Sequence, residues 1–181
     1  VEKNLISNNF NCHHIIVENW DELESEKGVI FVSIPTLLDS SLAPEGKHIL
    51  HAFTPSSMSE WEGLSRQEYL QKKEKYFSFL VDKISVILPN LKQNIDHKEI
   101  GTPKTHKKFL GRYEGSYGPI PNQKLLGLLP MPFNTTKIKN LYCVGDSCFP
   151  GQGLNAVAFS GYACAHKIGA KLNINSFKLP K

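Results

Sequence analysis

The stretch NLYCVGDSCFPGQGLNAVAFSG, Asn140–Gly161, decides the fold predicted for this chain. It predicts a short buried strand, Leu141–Val144, then a glycine-rich turn, Gly145–Gly153, and then a helix over Leu154–Leu172. The turn places Asp146 directly after the strand. In open α/β sheets this edge is where nucleotides bind, and a carboxylate there accepts hydrogen bonds from sugar or ribityl hydroxyl groups.

The turn and the start of the helix carry two further signals of a binding site. Gly151 and Gly153 allow the backbone to pass close to a bound ring system. The helix from Leu154 directs its N-terminal N–H groups, with their partial positive charge, back at the turn. Its early turns are rich in small residues, which permit close packing against a sheet or a ligand: Ala156, Ala158, Ser160, Gly161, Ala163 and Ala165.

Two other interpretations of this stretch remain. Gly151–Ala156 matches G-x-G-x-x-A, the fingerprint that opens a dinucleotide-binding Rossmann unit. However, Gly151 lies seven positions past Val144, and too few residues follow the helix for a second strand with its ribose-binding acid. The other interpretation is a plain strand–turn–helix in which Asp146 is merely solvent-exposed.

The N-terminal part of the chain predicts an antiparallel sheet. Three short β-rich runs are bounded by turn formers and joined by short links, a pattern typical of consecutive antiparallel strands. They are Cys12–Val17, Val29–Ile34 and His48–Thr54.

Two helices and a further strand are predicted between the sheet and the glycine-rich turn. Ser65 and Glu68 form a capping-box pattern ahead of a long amphipathic helix that Pro89 stops. A short strand is expected over Asp96–Ile100, and a second helix from Thr102-Pro103 to Gly111. The apolar positions of the long helix recur at helical spacing: Leu70, Phe77, Leu80, Val81, Ile84 and Leu88.

Composition excludes several functional classes. The net charge of +4 is mild and the lysines are scattered without interleaved aromatic residues, so no nucleic-acid surface is predicted. Four cysteines without a CxxC pair favour a reduced, intracellular setting, and no apolar run has a transmembrane length. His13 and His14, like His48 and His51, fall on opposite strand faces, so no metal site is predicted. The start at Val1 suggests an interior cut.

Long runs of the sequence resemble one enzyme family. GTPKTHKKFLGRYEGSYGPIP (Gly101–Pro121) and LGLLPMPFNTTKIKNLYCVGDSCFPGQGLNAVAFSGYACAH (Leu126–His166) are similar to the C-terminal part of carotenoid cis–trans isomerases, the prolycopene isomerases. Ile34–Pro55 is similar as well. These proteins are relatives of the bacterial-type phytoene desaturases, and the resemblance extends over about Cys12–Leu172.

The resemblance implies an α+β fold, the C-terminal part of a two-domain FAD flavoprotein. Residues 1–121 would belong to the substrate domain, an antiparallel sheet with helices, and residues 122–181 would supply the last strand and helix of the FAD domain. The family's N-terminal G-x-G-x-x-G motif, which holds the ADP half, is missing. The second FAD-binding motif implies these cofactor-binding residues: Gly145, Asp146, Gly151, Gly153, Leu154 and Asn155.

The resemblance further implies conversion of poly-cis carotenoids such as prolycopene to all-trans lycopene, with reduced FAD and no net redox change. It implies peripheral contact with photosynthetic or plastid membranes. A carotenoid desaturase, a retinol saturase and a non-catalytic fragment stay open as alternatives. No catalytic acid or base is assigned; His106 is expected at the surface and Cys148 as a packed residue. Two roles stay open for one set of aromatic and apolar residues, which would either line a tunnel for a long polyene or pack in the core: Tyr113, Tyr117, Leu125–Leu129, Met131 and Phe133.

Overall fold

The computed structural model describes residues 1–7, 9–23, 25, 27–116, 118 and 131–174. The chain divides into two compact units, Val1–Thr105 and His106–Lys181. The predicted domain boundary between residues 121 and 122 lies outside the described residues, so the assignment of residues 1–121 and 122–181 to two domains stays a prediction.

The first unit contains the predicted antiparallel sheet. Its strands are β1 (His13–Val17), β2 (Val29–Ser33) and β3 (His51–Phe53), paired in the order β1-β2-β3. Alternation along β2 places Ile30 and Val32 in the core, where they are 0% and 2% exposed. The three strands follow the predicted runs with trimmed ends, and the α+β fold class is confirmed.

Helix α1, Arg66–Ile84, closes the core of this unit. It begins with the predicted capping box, in which the Ser65 hydroxyl accepts from the Glu68 N–H and the Glu68 carboxylate accepts from the Ser65 N–H. Ile84 is 1% exposed and packs in one cluster with the β2 residues. Full burial of such a side chain contributes about 1.5–3 kcal/mol. The helix ends at Ile84, earlier than the predicted stop at Pro89, and Leu70 is half exposed and lies outside the core.

The strand predicted over Asp96–Ile100 is wrong, because these residues form no regular structure. Their polar side chains are used at the surface: the Lys98 ammonium donates to the Glu74 carboxylate at 2.6 Å, and Asp96 accepts from Lys47 at 3.1 Å. A half-buried strand needs an apolar face, and this segment offers only Ile100 for one.

The second predicted helix is present as α2, Pro103–Leu110. The Thr102 N–H donates to the Thr105 hydroxyl at 3.0 Å across its first turn. The helix ends at Gly111, whose φ of +62° lies in the left-handed region that terminates helices. Both predicted ends of this element are therefore confirmed.

In the second unit the helix is confirmed, but the strand before it is not. Helix α3 spans Leu154–Lys171 with Gly153 as its N-cap. Leu141–Val144 forms one isolated bridge, between Tyr142 and Thr135, and Leu141 and Val144 are 47% and 55% exposed. A strand requires a neighbouring ladder of hydrogen bonds, and the described residues supply a single pairing. None of the described helices has the length and apolar character needed to cross a membrane.

Candidate functional site

The glycine-rich turn takes backbone conformations that favour glycine at three positions. Gly145, Gly151 and Gly153 have φ values of +108°, +116° and +105°, a region that residues with a Cβ rarely adopt. Among the described residues no heavy atom lies within 4 Å of the place that a Cβ would take on Gly145 or Gly153. At these two positions the requirement for glycine therefore comes from the backbone, not from packing.

A buried serine of α3 ties the turn to the helix. Ser160 is 0% exposed, and its hydroxyl accepts from the side-chain amide of Asn134 at 3.0 Å and from the Gly145 N–H at 3.3 Å. The same amide donates to the Cys143 carbonyl at 3.0 Å, while the Cys143 N–H donates to the Asn134 carbonyl at 2.9 Å. This network fixes the start of the turn against one face of the helix.

Asp146 forms an ion pair with Arg112 that the sequence patterns missed. The guanidinium Nη2 donates to Oδ2 of the carboxylate, and both side chains are about three-quarters buried. The hydrogen bond from Arg112 is the main cause that lowers the pKa of Asp146, against burial, which raises it. Asp146 is therefore an ionised acceptor at neutral pH. In the sequence, the only indication of this role for Arg112 is its position directly after a helix-terminating glycine, and this indication is weak.

The remaining side chains of the turn pack rather than react. Cys148 is 3% exposed, and burial raises the pKa of its thiol, so the thiol stays protonated and matches the packed residue predicted at this position. The Phe149 N–H donates to the Pro132 carbonyl at 2.7 Å, and the rings of Phe133 and Phe149 lie 5.5 Å apart. Together these contacts hold the middle of the turn in place.

Among the described residues, the N-terminus of α3 has no side-chain cap. Gly153 provides no side-chain cap, so the N–H groups of the first helical turn are not satisfied in that way. Leu154 is 87% exposed and Asn155 is exposed as well. Open N–H groups at a helix N-terminus attract an anion or an electronegative oxygen. With Asp146 as an acceptor, the turn presents both kinds of hydrogen-bonding group.

All six predicted cofactor-binding residues thus lie on this turn and on the first turn of α3. The polyene tunnel stays a prediction, because several of the residues suggested for it are not among those that the structure describes. Tyr117 and Leu125–Leu129 lie outside the described residues, while Tyr113 is 76% and Phe133 50% exposed. Within the described ranges, no group of three His, Cys, Asp or Glu side chains is arranged to hold a metal ion.

Comparison with known proteins supplies relatives for most of the chain. No family model matches it. It is 58% identical over 165 residues to prolycopene isomerase 1, chloroplastic, of an Oncidium hybrid cultivar. The matched region covers 90% of this chain and 28% of the relative. It is 52% identical over 176 residues to prolycopene isomerase, chloroplastic, of Daucus carota, covering 96% of the chain and 29% of the relative.

A more distant relative is the zeta-carotene-forming phytoene desaturase of Myxococcus xanthus, 29% identical over 132 residues, which cover 72% of this chain and 25% of the relative. The chain spans a little more than a quarter of the length of the two isomerases it matches.

Proposed function

Because this chain is a homologue of the prolycopene isomerases over about 90% of its length, we propose that the whole protein is an FAD-dependent carotenoid cis–trans isomerase. It would convert poly-cis carotenoids such as prolycopene to all-trans lycopene with no net redox change. The observation that carries the cofactor assignment is the turn itself, where positive-φ glycines, an ionised Asp146 and the open N-terminus of α3 coincide.

The residues of the turn fit an FAD molecule in distinct roles. The carboxylate of Asp146 would accept hydrogen bonds from ribityl hydroxyl groups, since it is ionised and acceptor-only. The backbone from Gly151 to Asn155 would lie along the ring system, and the N–H groups of α3 would stabilise negative charge there. When bound, FAD supplies the electron-transfer chemistry of the reaction. The described residues offer no acid or base that we assign to catalysis.

We propose that the chain contributes the C-terminal part of a two-domain flavoprotein, with residues 1–121 in the substrate domain and 122–181 in the FAD domain. Exposed apolar side chains in the second unit support this, because a larger FAD domain would cover them. They include Leu141, Val144, Leu154 and Phe159. The relatives named chloroplastic support a plastid location, and a water-insoluble carotenoid substrate favours peripheral membrane contact.

A carotenoid desaturase is the second candidate, favoured by the Myxococcus xanthus relative. Its identity to the chain is about half that of the isomerases, so the isomerase is preferred. The two activities differ in their products. An isomerase changes only double-bond geometry, whereas a desaturase lengthens the conjugated system and shifts the absorbance maximum of the carotenoid to longer wavelength.

The cofactor assignment is tested by Asp146→Ala in the full-length protein, with bound flavin scored by absorbance and products of prolycopene by chromatography. A hydrogen bond to a charged group contributes about 1.5–3 kcal/mol, so we expect a loss of about one to two orders of magnitude in flavin affinity. Asp82→Ala, at an exposed position of α1, is the matched control and should keep its flavin. Stoichiometric flavin in purified Asp146→Ala would contradict the assignment.

A further inference from the structure

We infer that Arg112 is a positioning residue for the cofactor: it orients the carboxylate of Asp146 so that the second carboxylate oxygen accepts from the ligand. The inference rests on the proposed function, because it assigns a role toward FAD to a residue outside the glycine-rich turn. Arg112 itself would contact Asp146 and not the reacting atoms.

The hydrogen bonds of the carboxylate support separate roles for its two oxygens, one held by Arg112 and one left for the ligand. Oδ2 accepts from the Arg112 guanidinium. Oδ1 is approached by the Ser147 hydroxyl at 3.4 Å, which is at the outer limit of a hydrogen bond. A carboxylate oxygen can accept two hydrogen bonds. Oδ1 therefore retains capacity for a ligand hydroxyl, while the bond on Oδ2 holds the plane of the carboxylate.

The backbone around Arg112 is built to hold it in place. Gly111 and Gly115 on either side have φ values of +62° and +63°, and Glu114 also has a positive φ, of +49°. The buried Gly115 donates its N–H to the Arg112 carbonyl at 3.1 Å. This turn fixes the backbone from which the Arg112 side chain extends, and the ion pair with Asp146 holds the guanidinium at its end.

Arg112 also lowers the pKa of Asp146. Its hydrogen bond to the carboxylate is the largest influence on this pKa and outweighs burial, which raises it. Among the described residues, Cys148 is another titratable group that interacts with Asp146, and burial raises the pKa of its thiol so that it carries no charge at neutral pH. Removal of Arg112 therefore leaves the burial of Asp146 without an opposing charge.

The test uses Arg112→Gln and Arg112→Lys in the full-length protein, with flavin affinity measured from pH 7 downward by the quenching of flavin fluorescence. We expect affinity to fall about tenfold in Arg112→Gln, the effect of losing one charge-assisted hydrogen bond. Flavin release should occur at a higher pH than in the wild type, because the pKa of Asp146 rises. Arg112→Lys keeps the positive charge but not the geometry of the guanidinium. Its pH of flavin release should therefore lie closer to the wild-type value than its flavin affinity does.

A double-mutant cycle with Asp146→Asn separates this inference from the cofactor assignment. If Arg112 acts through Asp146, Arg112→Gln should have little further effect in the Asp146→Asn background. Lys98→Gln, which removes the surface ion pair with Glu74, is the control and should bind flavin like the wild type.

Three outcomes are decisive. Wild-type affinity and pH dependence in both Arg112 variants, together with flavin loss in Asp146→Asn, would overturn the positioning role alone. Additive losses in the double variant would overturn it as well. Flavin retention in Asp146→Ala, which removes both carboxylate oxygens, would instead overturn the cofactor assignment. Should Arg112→Gln fail to fold, as judged by circular dichroism, the pH of release in Arg112→Lys decides the matter.

Discussion

The two units of the chain differ in what holds their decisive residues in place. In the first unit, apolar side chains of β2 and α1 bury one another, and Ile30 and Ile84 are 0% and 1% exposed. In the second, the glycine-rich turn is held by backbone conformation and by polar contacts to Ser160, while Leu154 and Phe159 of α3 are 87% and 51% exposed. The first unit thus depends on packing, and the second on conformations that only particular residue types adopt.

The largest effect is expected in the core of the first unit. Ile30→Ala should lower the free energy of unfolding by about 2–5 kcal/mol, because it removes buried methyl groups and leaves a cavity. Ile15→Ala, in the neighbouring strand of the same sheet, is the matched control: Ile15 is 63% exposed and its truncation should change little. Urea denaturation measures both. Equal losses for the two variants would show that burial does not distinguish the two sheet faces.

A smaller effect is expected in the turn of the second unit. Gly153→Ala should destabilise the start of α3 by about 1–3 kcal/mol, since φ +105° with ψ 150° is a region used almost only by glycine. It should also weaken flavin binding in the full-length protein.

Gly161→Ala is the control for this substitution. Gly161 lies inside α3 with nothing within 4 Å of the added Cβ among the described residues, so alanine should be neutral or stabilising by up to about 1 kcal/mol. The two variants are compared by melting temperature and bound flavin. If they behave alike, the backbone conformation at Gly153 is not what fixes the turn.

The smallest effect is expected at the capping box of α1. Ser65→Ala should lower the free energy of unfolding by about 1 kcal/mol at neutral pH, because it removes the acceptor for the Glu68 N–H. Gln71→Ala, at an exposed position of the same helix, should not destabilise the protein.

The capping box also has a pH dependence with a defined sign. The hydrogen bonds from Ser65 lower the pKa of Glu68, so the stabilisation is present above the ordinary glutamate pKa and is lost as the pH falls through the lowered value. Glu68→Gln should therefore melt below the wild type at pH 7, and the difference should vanish in acid. A difference that persists at the lowest pH would contradict the role of the ionised carboxylate.

Local signals predicted most of the fold, since their partners lie close in sequence. The Ser65–Glu68 box and the β-rich run Val29–Ile34 each involve residues within a few positions of one another, and both are confirmed. The strands predicted over residues 96–100 and 141–144 are wrong because a run of residues specifies only one side of a ladder. Whether a neighbouring strand lies alongside cannot be read from the run itself.

The candidate site was predictable in part for the same reason. The glycines of the turn were expected where the structure has positive φ values, since their conformational freedom is a property of the residue itself. The pairing of Arg112 with Asp146 joins residues 34 positions apart, and no local pattern encodes such a contact. The binding of FAD by these residues stays a prediction.

The Ser160 network has a consequence for how this sequence can drift. The hydroxyl of Ser160 serves the Asn134 amide and the Gly145 N–H at once. Loss of the hydroxyl alone would leave the Gly145 N–H without this acceptor and would remove one of the acceptors of the Asn134 amide. Loss of the amide alone would remove the donor to the Cys143 carbonyl as well. Positions 134 and 160 therefore constrain each other. A substitution at one of them is expected to persist in a lineage only when a compensating substitution occurs at the other.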